Sequence, residues 1–488
     1  MPAKNEQTHE LGMTKKKADD LMEWYYEVLQ KADVVDIRYK IKGFDVYMPT
    51  AVLVIEEMFR LLESELRATG HLPLKFPILI PESEFKKEAE HIKGFMEEVF
   101  WITHAGKNKL DERLILRPTS ETAMYPMYSL WLRSHQQLPL KFYQTGTVYR
   151  YETKMTRPLL RPREFLWMEA HDVQKDKEGS IMQVGEDMDI FKKLVTDGLC
   201  IPFLLLKRTE WDKFPGADDT YAFETVMPDG NILQIGTTHD LGQNFSKVFD
   251  ISFLDENGKK QFAHQTTFGA GISRTFGAVI GMHGDDKGLV LPPSVAPIQV
   301  VIVPIHNNDN RAQVFAKCEE VLGRLQHKGF RTHFDSRDQY SPGFKFNEWE
   351  LKGVPVRVEI GPRDIAKNEV SVVRRDSLDR NSVSEQKLDE HLREAMGSMA
   401  VKMLKRANDG MIVQDAGDFK GLQEKLKKRG FVRVPFCMQE RCNEQLKEKT
   451  GAEVRGTLFG DKAKPAKGAK CAICGAPAKE FAYAASSY

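Results

Sequence analysis

Residues 147–171, TVYRYETKMTRPLLRPREFLWMEAH, restrict the fold of this chain more than any other stretch, because two β-prone segments flank an arginine-rich loop. TVYRY and REFLWMEAH carry the β-branched and aromatic residues that favour strands, and prolines interrupt the segment between them. The stretch therefore predicts two strands joined by a charged loop. Its charged and aromatic side chains include Arg150, Glu152, Arg157, Arg161, Arg163, Glu164, Phe165, Trp167 and Glu169.

Clustered arginine and aromatic side chains are suited to binding a nucleotide. Arginine makes bidentate contacts to phosphate and stays charged near neutral pH, and an aromatic ring offers a stacking face for a base. A glutamate beside them can accept a hydrogen bond from an exocyclic amine. The alternative is a surface hairpin with exposed ion pairs, each of which contributes about 0–1 kcal/mol.

The segments around this stretch predict a mainly antiparallel sheet with helices packed on it. Residues 18–36 and 51–70 have the apolar spacing of amphipathic helices, and strands are expected over 74–83 and in a segment that ends at Pro49. Further alternating segments predict more strands, and residues 228–230 (PDG) predict a hairpin turn.

Gly- and Pro-rich residues 283–297 mark a change of pattern. Apolar strands then alternate with helical segments, which predicts a separate α/β domain with a mixed sheet. The expected fold is an α+β domain over 1–288 with an antiparallel sheet and flanking helices, an α/β domain over 296–400, and an α+β domain over 405–488.

Charge and hydropathy exclude several classes of protein. The net charge is +1, so a polyanion would have to bind at a local patch. The first residues are polar and lack the apolar core of a signal peptide, and no apolar run approaches the roughly 20 residues that span a bilayer. We therefore expect a cytoplasmic protein with no membrane partner.

The six cysteines are unevenly placed. Cys200 and Cys318 stand alone and are predicted to be free and buried. The other four form a C-x4-C pair and a C-x2-C pair, a thiol set that suits a tetrahedral structural Zn²⁺. The alternative is a metal-free domain with reduced thiols. The predicted zinc ligands are Cys437, Cys442, Cys471 and Cys474.

The pattern Arg150-x-Glu152, a loop, then Arg161-x3-Phe165-x3-Glu169 resembles motif 2 of the class II aminoacyl-tRNA synthetases. Two further segments resemble the companion motifs in the same order. Pro49 resembles the motif 1 proline at a dimer interface, and residues 268–280 (FGAGISRTFGAVI) resemble motif 3, although a Gly-rich strand alone is usually a packing feature. The resemblance implies a homodimer.

The segments between these motifs narrow the resemblance to prolyl-tRNA synthetases of the archaeal and eukaryote-like form, from about residue 15 to Tyr488. They are residues 117–121, 165–171, 234–245, 283–293 and 343–364. The resemblance implies that residues 1–288 form the catalytic domain, 296–400 an anticodon-binding domain and 405–488 a zinc-binding domain.

The resemblance implies a two-step reaction. L-proline and ATP give prolyl-adenylate and pyrophosphate, and the prolyl group is then transferred to the 3′ end of tRNA(Pro). It implies that Arg150 and Arg274 are catalytic and that Gln234 also binds Mg²⁺. The implied ATP-binding residues are Arg150, Glu152, Arg161, Phe165, Gln234, Thr237 and Arg274.

The resemblance also implies a proline pocket formed by Thr119, Glu121, Arg150, Trp167, Glu169, His171 and His239. The alternative for His171 and His239 is a structural histidine. The family often places Ser or Thr two residues before the motif 3 arginine, whereas this chain has Ile272 followed by Ser273. In related enzymes the terminal tyrosine reaches toward the active site, and Tyr488 occupies that position.

Glu350 and Arg357 match the family positions that read the two guanines of the proline anticodon, with Lys345 and Arg363 as helpers. Carboxylate and guanidinium groups can pair with guanine edges in this way. The alternative is an ion pair between Glu350 and Arg357. The basic run 425–433 is either a solvated face or a contact to the tRNA backbone.

Two other classes of function compete with this one. One is a threonyl, seryl or glycyl ligase of the same subclass, and the other is a synthetase-like paralogue that binds RNA without ligating. Because proline, alanine and cysteine are close in size, we expect mis-activation of alanine or cysteine. Only about one hundred residues separate motifs 2 and 3, so no cis-editing domain is expected.

Overall fold

A computed structural model of the protein describes residues 12–87, 98–153 and 155–488. Its strands, in chain order, are β1 (Val35–Asp36), β2 (Val46–Tyr47), β3 (Leu72–Pro73), β4 (Leu79–Pro81), β5 (Phe100–Ala105), β6 (Asn108–Leu116), β7 (Leu140–Tyr149), β8 (Glu164–Gln174), β9 (Leu204–Lys207), β10 (Asp219–Val226), β11 (Ile232–Gly242), β12 (Ser252–Leu254), β13 (Lys260–Phe262), β14 (His264–Gly271), β15 (Val300–Pro304), β16 (Thr332–Phe334), β17 (Val356–Ile360), β18 (Glu369–Arg374), β19 (Arg380–Ser384), β20 (Val413–Asp415), β21 (Phe431–Phe436), β22 (Glu453–Leu458) and β23 (Glu480–Ala485).

The helices, in chain order, are α1 (Leu21–Lys31), α2 (Pro49–Ala68), α3 (Glu82–Phe85), α4 (Glu121–Trp131), α5 (Lys177–Lys192), α6 (Asn244–Phe249), α7 (Ile272–His283), α8 (Arg311–His327), α9 (Pro342–Leu351), α10 (Pro362–Lys367), α11 (Leu388–Asp409), α12 (Phe419–Lys427) and α13 (Glu440–Thr450). A π-helical turn, Lys193–Gly198, extends α5. Within the described residues, no helix is long and apolar enough to cross a membrane.

A central sheet carries the first domain, as the sequence predicted. Within the described ranges its spatial order is β20-β21-β23-β22-β9-β10-β11-β14-β8-β7-β3. From β21 to β7 every neighbouring pair is antiparallel, and the two edge strands are parallel to their neighbours, β3 to β7 and β20 to β21. Helices α1, α2, α5 and α7 contribute buried apolar side chains to one large core with this sheet.

The prediction that Pro49 closes a strand is wrong. β2 ends at Tyr47, and Pro49 is the first residue of α2. Proline suits that position because its φ is already helical and the missing N–H would have no intrahelical partner there. The single strand predicted over 74–83 is also wrong, since β3 and β4 lie on either side of Pro77 in different sheets. Prolines 73, 77 and 81 cannot donate to a strand ladder.

The middle domain has the predicted mixed sheet, in the order β16-β15-β17-β18-β19. β15 pairs in parallel with β16 and β17, whereas β18 and β19 are antiparallel. Its separate core includes buried residues of α8 and α11.

The C-terminal part is less separate than the sequence suggested. β22 pairs with β9 through Thr457 opposite Lys207 and Leu458 opposite Leu206, so its sheet continues into the central sheet. Gly456 has φ +134°, and an added Cβ would lie 2.2 Å from the Lys207 carbonyl oxygen. Only glycine allows this close approach of the two backbones.

A buried polar cluster lies between α5 and the central sheet. The Asp187 carboxylate accepts hydrogen bonds from Gln183 at 2.9 Å and from Thr238 at 2.8 Å, and His71 Nε2 lies 3.2 Å from Asp172 Oδ2. Burial and the nearby Asp172 carboxylate raise the pKa of Asp187 to about 8. The folded protein therefore holds a proton here that the unfolded chain releases near pH 4.

This proton makes stability depend on pH. Because the pKa of Asp187 is raised in the folded state, the proton contributes to the free energy of unfolding. This contribution is fully present below about pH 4 and is lost as the pH rises to about 8. We expect the wild-type melting temperature to fall between pH 6 and pH 8.5, and Asp187→Asn to flatten that fall. The exposed Asp189→Asn on the same helix is the control. An unchanged pH profile in Asp187→Asn would contradict the assignment.

Candidate active site

One cavity of about 600 Å³ opens on the face of the central sheet and brings most of the predicted site residues together. β8, β11 and β14 supply much of its floor, and α4, the loop before β8 and the C-terminal segment supply its walls. Glu152 and His171 are predicted residues that lie outside its lining. The predicted residues that line it are Thr119, Glu121, Arg150, Arg161, Phe165, Trp167, Glu169, Gln234, Thr237, His239 and Arg274.

Arg150 directly follows β7 and is held between a backbone oxygen and two rings. Its Nε donates to the Pro118 carbonyl oxygen at 3.2 Å, and its guanidinium lies 5.4 Å and 5.7 Å from the ring centres of Phe165 and Trp167. Burial lowers the pKa of Arg150, and the carboxylates of neighbouring glutamates oppose that shift. The group remains a fixed cation at neutral pH.

Arg274, in the first turn of α7, places a second cation in the cavity. Its Nε donates to the Leu160 carbonyl oxygen at 2.8 Å, and its Nη1 donates to the Gln234 carbonyl oxygen at 3.2 Å. Burial, followed by the charges of Arg161 and Arg150, lowers the pKa of Arg274 to about 10. The positive charges of these three guanidinium groups repel one another, so together they form a site for an anion with several charges.

Glu169 is part of a buried network. Its carboxylate accepts from Thr119 Oγ1 at 3.1 Å, from the Ser120 N–H at 3.1 Å and from Gln144 Nε2 at 2.9 Å. Burial opposes its ionisation, but hydrogen bonds from His171 and Ser120 lower the pKa of Glu169 to about 2. His171 therefore lies behind Glu169 and orients it rather than facing the cavity.

Glu121 differs from Glu169 because one of its oxygens accepts no hydrogen bond from any residue that the structure describes. It is the first residue of α4 and is 2% exposed, and its Oε2 has no hydrogen-bond partner among the described residues. Trp167 Nε1, also buried in the cavity wall, has none within the same ranges. A buried carboxylate oxygen without a donor is suited to accept from a cationic ligand.

Gly269 on β14 makes room for Trp167. An added Cβ at Gly269 would lie 2.2 Å from Trp167 Cζ2, so any other residue would displace the indole. The backbone of β14 thus sets the depth of the cavity at this point. His239 is held nearby, with its Nδ1 2.9 Å from Thr220 Oγ1 and its Nε2 3.0 Å from Thr237 Oγ1.

The Ser273 hydroxyl, in motif 3, forms hydrogen bonds inside the protein. Ser273 Oγ accepts from the Leu166 N–H at 2.9 Å and lies 2.9 Å from Tyr47 Oη, and Ile272 is fully buried in the core. Neither side chain is among those that line the cavity.

Tyr488 lies at the rim of the cavity. Arg161 Nη2 donates to its main-chain oxygen at 2.6 Å, and the guanidinium of Arg157 lies 4.8 Å from its ring centre. Its hydroxyl donates to Asp229 Oδ2 at 2.8 Å. The long contact of 3.9 Å between Arg161 Nε and Glu152 Oε2 leaves Arg161 mainly bound to the C-terminal segment.

Sequence reasoning missed a group of charged residues in the cavity wall. Arg208, Glu224 and Arg455 are all less than 10% exposed. Both arginines donate to Glu224, and Arg208 also donates to the Gln234 side-chain oxygen. Arg455 is 231 positions from Glu224, so no local pattern signals their contact. Arg208 and Arg455 line the same cavity as the predicted residues.

In the middle domain, Glu350 and Arg357 form an ion pair. Arg357 Nη1 lies 2.8 Å from Glu350 Oε1, and its Nε lies 3.0 Å from the buried Glu359 Oε1. Lys345 is 2% exposed and donates to the Asp335 carbonyl oxygen at 3.0 Å, so it is turned inward. Arg363 lies exposed at the start of α10.

The four C-terminal cysteines come together as predicted. Their sulfur atoms all lie within 4.8 Å of one another, with Cys437 Sγ 3.5 Å from Cys442 Sγ and 3.8 Å from Cys474 Sγ. A tetrahedron with Zn–S bonds of about 2.3 Å has edges of about 3.8 Å, so the thiol set fits a structural Zn²⁺. Cys200 and Cys318 are free and buried, which confirms that prediction.

Three segments of the chain match known protein families. Residues 100–283 match the class II core domain of tRNA synthetases (G, H, P, S and T), and residues 299–395 match an anticodon binding domain. Residues 419–488 match the C-terminal domain of prolyl-tRNA synthetase. The three matches follow the three parts of the fold.

Curated relatives are similar to the chain over nearly its whole length. The proline--tRNA ligase of Thermofilum pendens is 48% identical over 98% of this chain and 100% of its own. That of Thermococcus kodakarensis is 45% identical over 97% of this chain and 99% of its own. That of Methanopyrus kandleri is 42% identical over 96% of each.

Proposed function

The chain belongs to the proline--tRNA ligases, a family of class II aminoacyl-tRNA synthetases, and we propose that its cavity activates L-proline with ATP and then transfers the prolyl group to tRNA(Pro). The catalytic domain is taken as residues 1–288, the anticodon-binding domain as 296–400 and the C-terminal zinc-binding domain as 405–488. The observation that carries the proline site is the buried Glu121 Oε2, which has no partner among the described residues and lies in the same cavity as Arg150 and Arg274.

In the activation step the proline carboxylate attacks the α-phosphorus of ATP. A bond forms between the carboxylate oxygen and that phosphorus, and the bond to the bridging oxygen of pyrophosphate breaks. Because two anions must approach, fixed cations at the reacting atoms supply much of the stabilisation. We propose that Arg150 contacts the carboxylate and the α-phosphate and that Arg274 and Arg161 contact the outer phosphates.

The remaining residues have binding roles. Phe165 stacks on adenine and Glu152 accepts from its amine, while Thr237 lies along the ATP. Mg²⁺ bound to the triphosphate would neutralise charge. Gln234 Oε1 accepts from Arg208 Nη2 at 2.5 Å, so its second lone pair would hold Mg²⁺, which prefers oxygen ligands.

The proline ring and its ammonium need an anionic acceptor and an apolar wall. Glu121 accepts from the ammonium together with Thr119, and Trp167 supplies the wall. Glu169 and His239 position this pocket, with His171 supporting Glu169 from behind. The match of residues 419–488 to a prolyl-specific domain supports proline over threonine, serine or glycine.

The test is amino-acid-dependent ATP–pyrophosphate exchange with proline, alanine, cysteine, threonine, serine and glycine. Strong exchange with proline and weak exchange with alanine or cysteine is expected, since proline, alanine and cysteine are close in size and an apolar pocket discriminates weakly between them. We propose that the enzyme has no cis-editing domain, because only about one hundred residues separate motifs 2 and 3. Exchange with threonine, serine or glycine alone would overturn the proposal.

We also propose that Glu350 and Arg357 open their ion pair to read the anticodon guanines, with Arg363 at the periphery. Lys345 supports the domain from inside, where its ammonium bonds to Asp335. The basic run 425–433 is a further candidate for contact with the tRNA backbone.

Arg357→Lys tests this anticodon contact. Lysine keeps a positive charge beside the buried Glu359 but lacks the rigid planar fork that arginine offers to guanine O6 and N7. We expect aminoacylation efficiency to fall by about 10- to 100-fold while pyrophosphate exchange is unchanged. The control is Arg393→Ala. The Arg393 guanidinium donates to the Lys328 carbonyl oxygen elsewhere in the domain. Unchanged aminoacylation in Arg357→Lys would contradict the proposal.

A homodimer is proposed from exposed apolar side chains near the N-terminal part of the catalytic domain. They are Ile37, Tyr39, Val46, Leu72, Ile78 and Leu79. Apolar surface of this kind favours burial against a second copy. Light scattering should give about twice the chain mass of 55.8 kDa. We also propose that the enzyme is cytoplasmic.

A further inference from the structure

Arg455 brings the C-terminal domain into contact with a buried carboxylate of the catalytic domain. It lies on β22, and its Nε donates to Glu224 Oε1 at 3.0 Å and to Oε2 at 3.2 Å. Glu224 lies on β10 and is fully buried. Both oxygens of Glu224 are therefore held by one guanidinium from another domain.

Arg208 completes a closed set of contacts. Its Nη2 donates to Glu224 Oε1 at 2.7 Å and to Gln234 Oε1 at 2.5 Å, and its Nη1 donates to the Arg455 carbonyl oxygen at 2.8 Å. Arg455 therefore holds Arg208 both directly and through Glu224. Arg208 in turn fixes the direction in which the Gln234 amide oxygen points.

The charges favour a rigid arrangement. Burial opposes the ionisation of Glu224, but Arg208 and Arg455 outweigh it and lower its pKa. A buried carboxylate between two guanidinium groups is stable only in a narrow geometry, because each lost contact leaves a buried charge uncompensated. Such a triad is suited to hold a neighbouring side chain at a fixed position.

We infer that Arg455 is a positioning residue for the ATP half of the active site and acts through Glu224 and Arg208 on Gln234. This rests on the proposed role of Gln234 in binding the ATP–Mg²⁺ complex. The C-terminal domain thereby takes part in substrate binding, in addition to any role in stability. The proline half of the cavity, with Glu121 and Trp167, has no part in these contacts.

The experiment measures KM for ATP and KM for proline separately in pyrophosphate exchange. Arg455→Ala is expected to raise KM for ATP about tenfold and to change KM for proline less than about twofold, because only one half of the cavity loses its alignment. Arg455→Lys keeps the buried positive charge but lacks the planar fork that fixes the direction of the contacts to Glu224, and should raise KM for ATP by about threefold. If Arg455→Ala does not fold, Arg455→Lys decides the question.

A double-mutant cycle tests whether the effect runs through Gln234. If it does, Gln234→Ala combined with Arg455→Lys should have the KM for ATP of Gln234→Ala alone. The matched control is Arg433→Ala, which removes an arginine paired with Asp415 inside the C-terminal domain. That variant should leave both KM values unchanged, and melting temperature and zinc content are measured for every variant.

Additive effects in the cycle would overturn the inference, because Arg455 would then act independently of Gln234. Equal changes in both KM values, or an unchanged KM for ATP in Arg455→Lys, would overturn it as well. If wild-type protein exchanges pyrophosphate with proline but Gln234→Ala does not change KM for ATP, the proposed role of Gln234 fails first. The proline-activating function stands in each of these cases.

Discussion

Replacement of Arg150 with alanine is expected to lower proline-dependent pyrophosphate exchange by about a thousandfold. The guanidinium lies in the cavity between Phe165 and Trp167, where the attacking carboxylate and the α-phosphate would meet. Removal of one preorganised donor for developing charge typically costs a factor of about 100–1,000, and Arg150 would serve two anions. The measurement is kcat/KM for exchange, together with the affinity for tRNA(Pro).

The affinity for tRNA(Pro) should stay nearly unchanged in Arg150→Ala, since the anticodon site belongs to a different domain. Arg150→Lys is the matched variant, because it keeps the charge and removes the planar fork. We expect it to recover only a small part of the activity. An equal loss of exchange and tRNA affinity would show that Arg150 holds the fold together rather than the reacting groups.

Local patterns in the sequence predicted the parts of the fold that depend on neighbours in the chain. The hairpin β7–β8 follows from two β-prone segments around a proline-rich loop, and residues 228–230 form the turn between β10 and β11. Pro49 shows the limit of this reasoning. Proline favours both the end of a strand and the start of a helix, and α2 is stable because its apolar face packs into the large core.

The spacing of residues along the sequence did not predict the contacts between distant segments. The Cys pairs were found because each pair is local and thiols have a narrow range of uses. Arg208 and Arg455 carry no such signal, since arginine is common on any surface and only the β9–β22 pairing brings them together. The family resemblance implies that His171 lines the proline pocket, but its ring bonds to Glu169 and Tyr125. The alternation of side chains along β8 does not reveal these contacts.

Loss of zinc is expected to unfold the C-terminal domain and to lower activity with it. Binding of structural Zn²⁺ contributes about 10–16 kcal/mol in zinc-finger peptides, which exceeds the stability of most small domains. The thiols join the segment after β21 to α13 and to the loop before β23, and that sheet continues into the catalytic domain through β22. We expect one zinc per chain by elemental analysis, and a large fall in melting temperature on chelation.

Cys442→Ser is the sharpest variant, because Cys442 is fully buried at the start of α13. It should lose zinc, and KM for ATP should rise as the wall that carries Arg455 moves. Cys318→Ser makes the same chemical change at a fully buried cysteine in the middle domain, and should keep both zinc and activity. Wild-type protein that contains no zinc and melts at the same temperature with chelator would mean that reduced thiols pack this domain. The wall of the active site would then depend on apolar packing, on the β9–β22 pairing and on the polar contacts of Arg455 and Tyr488.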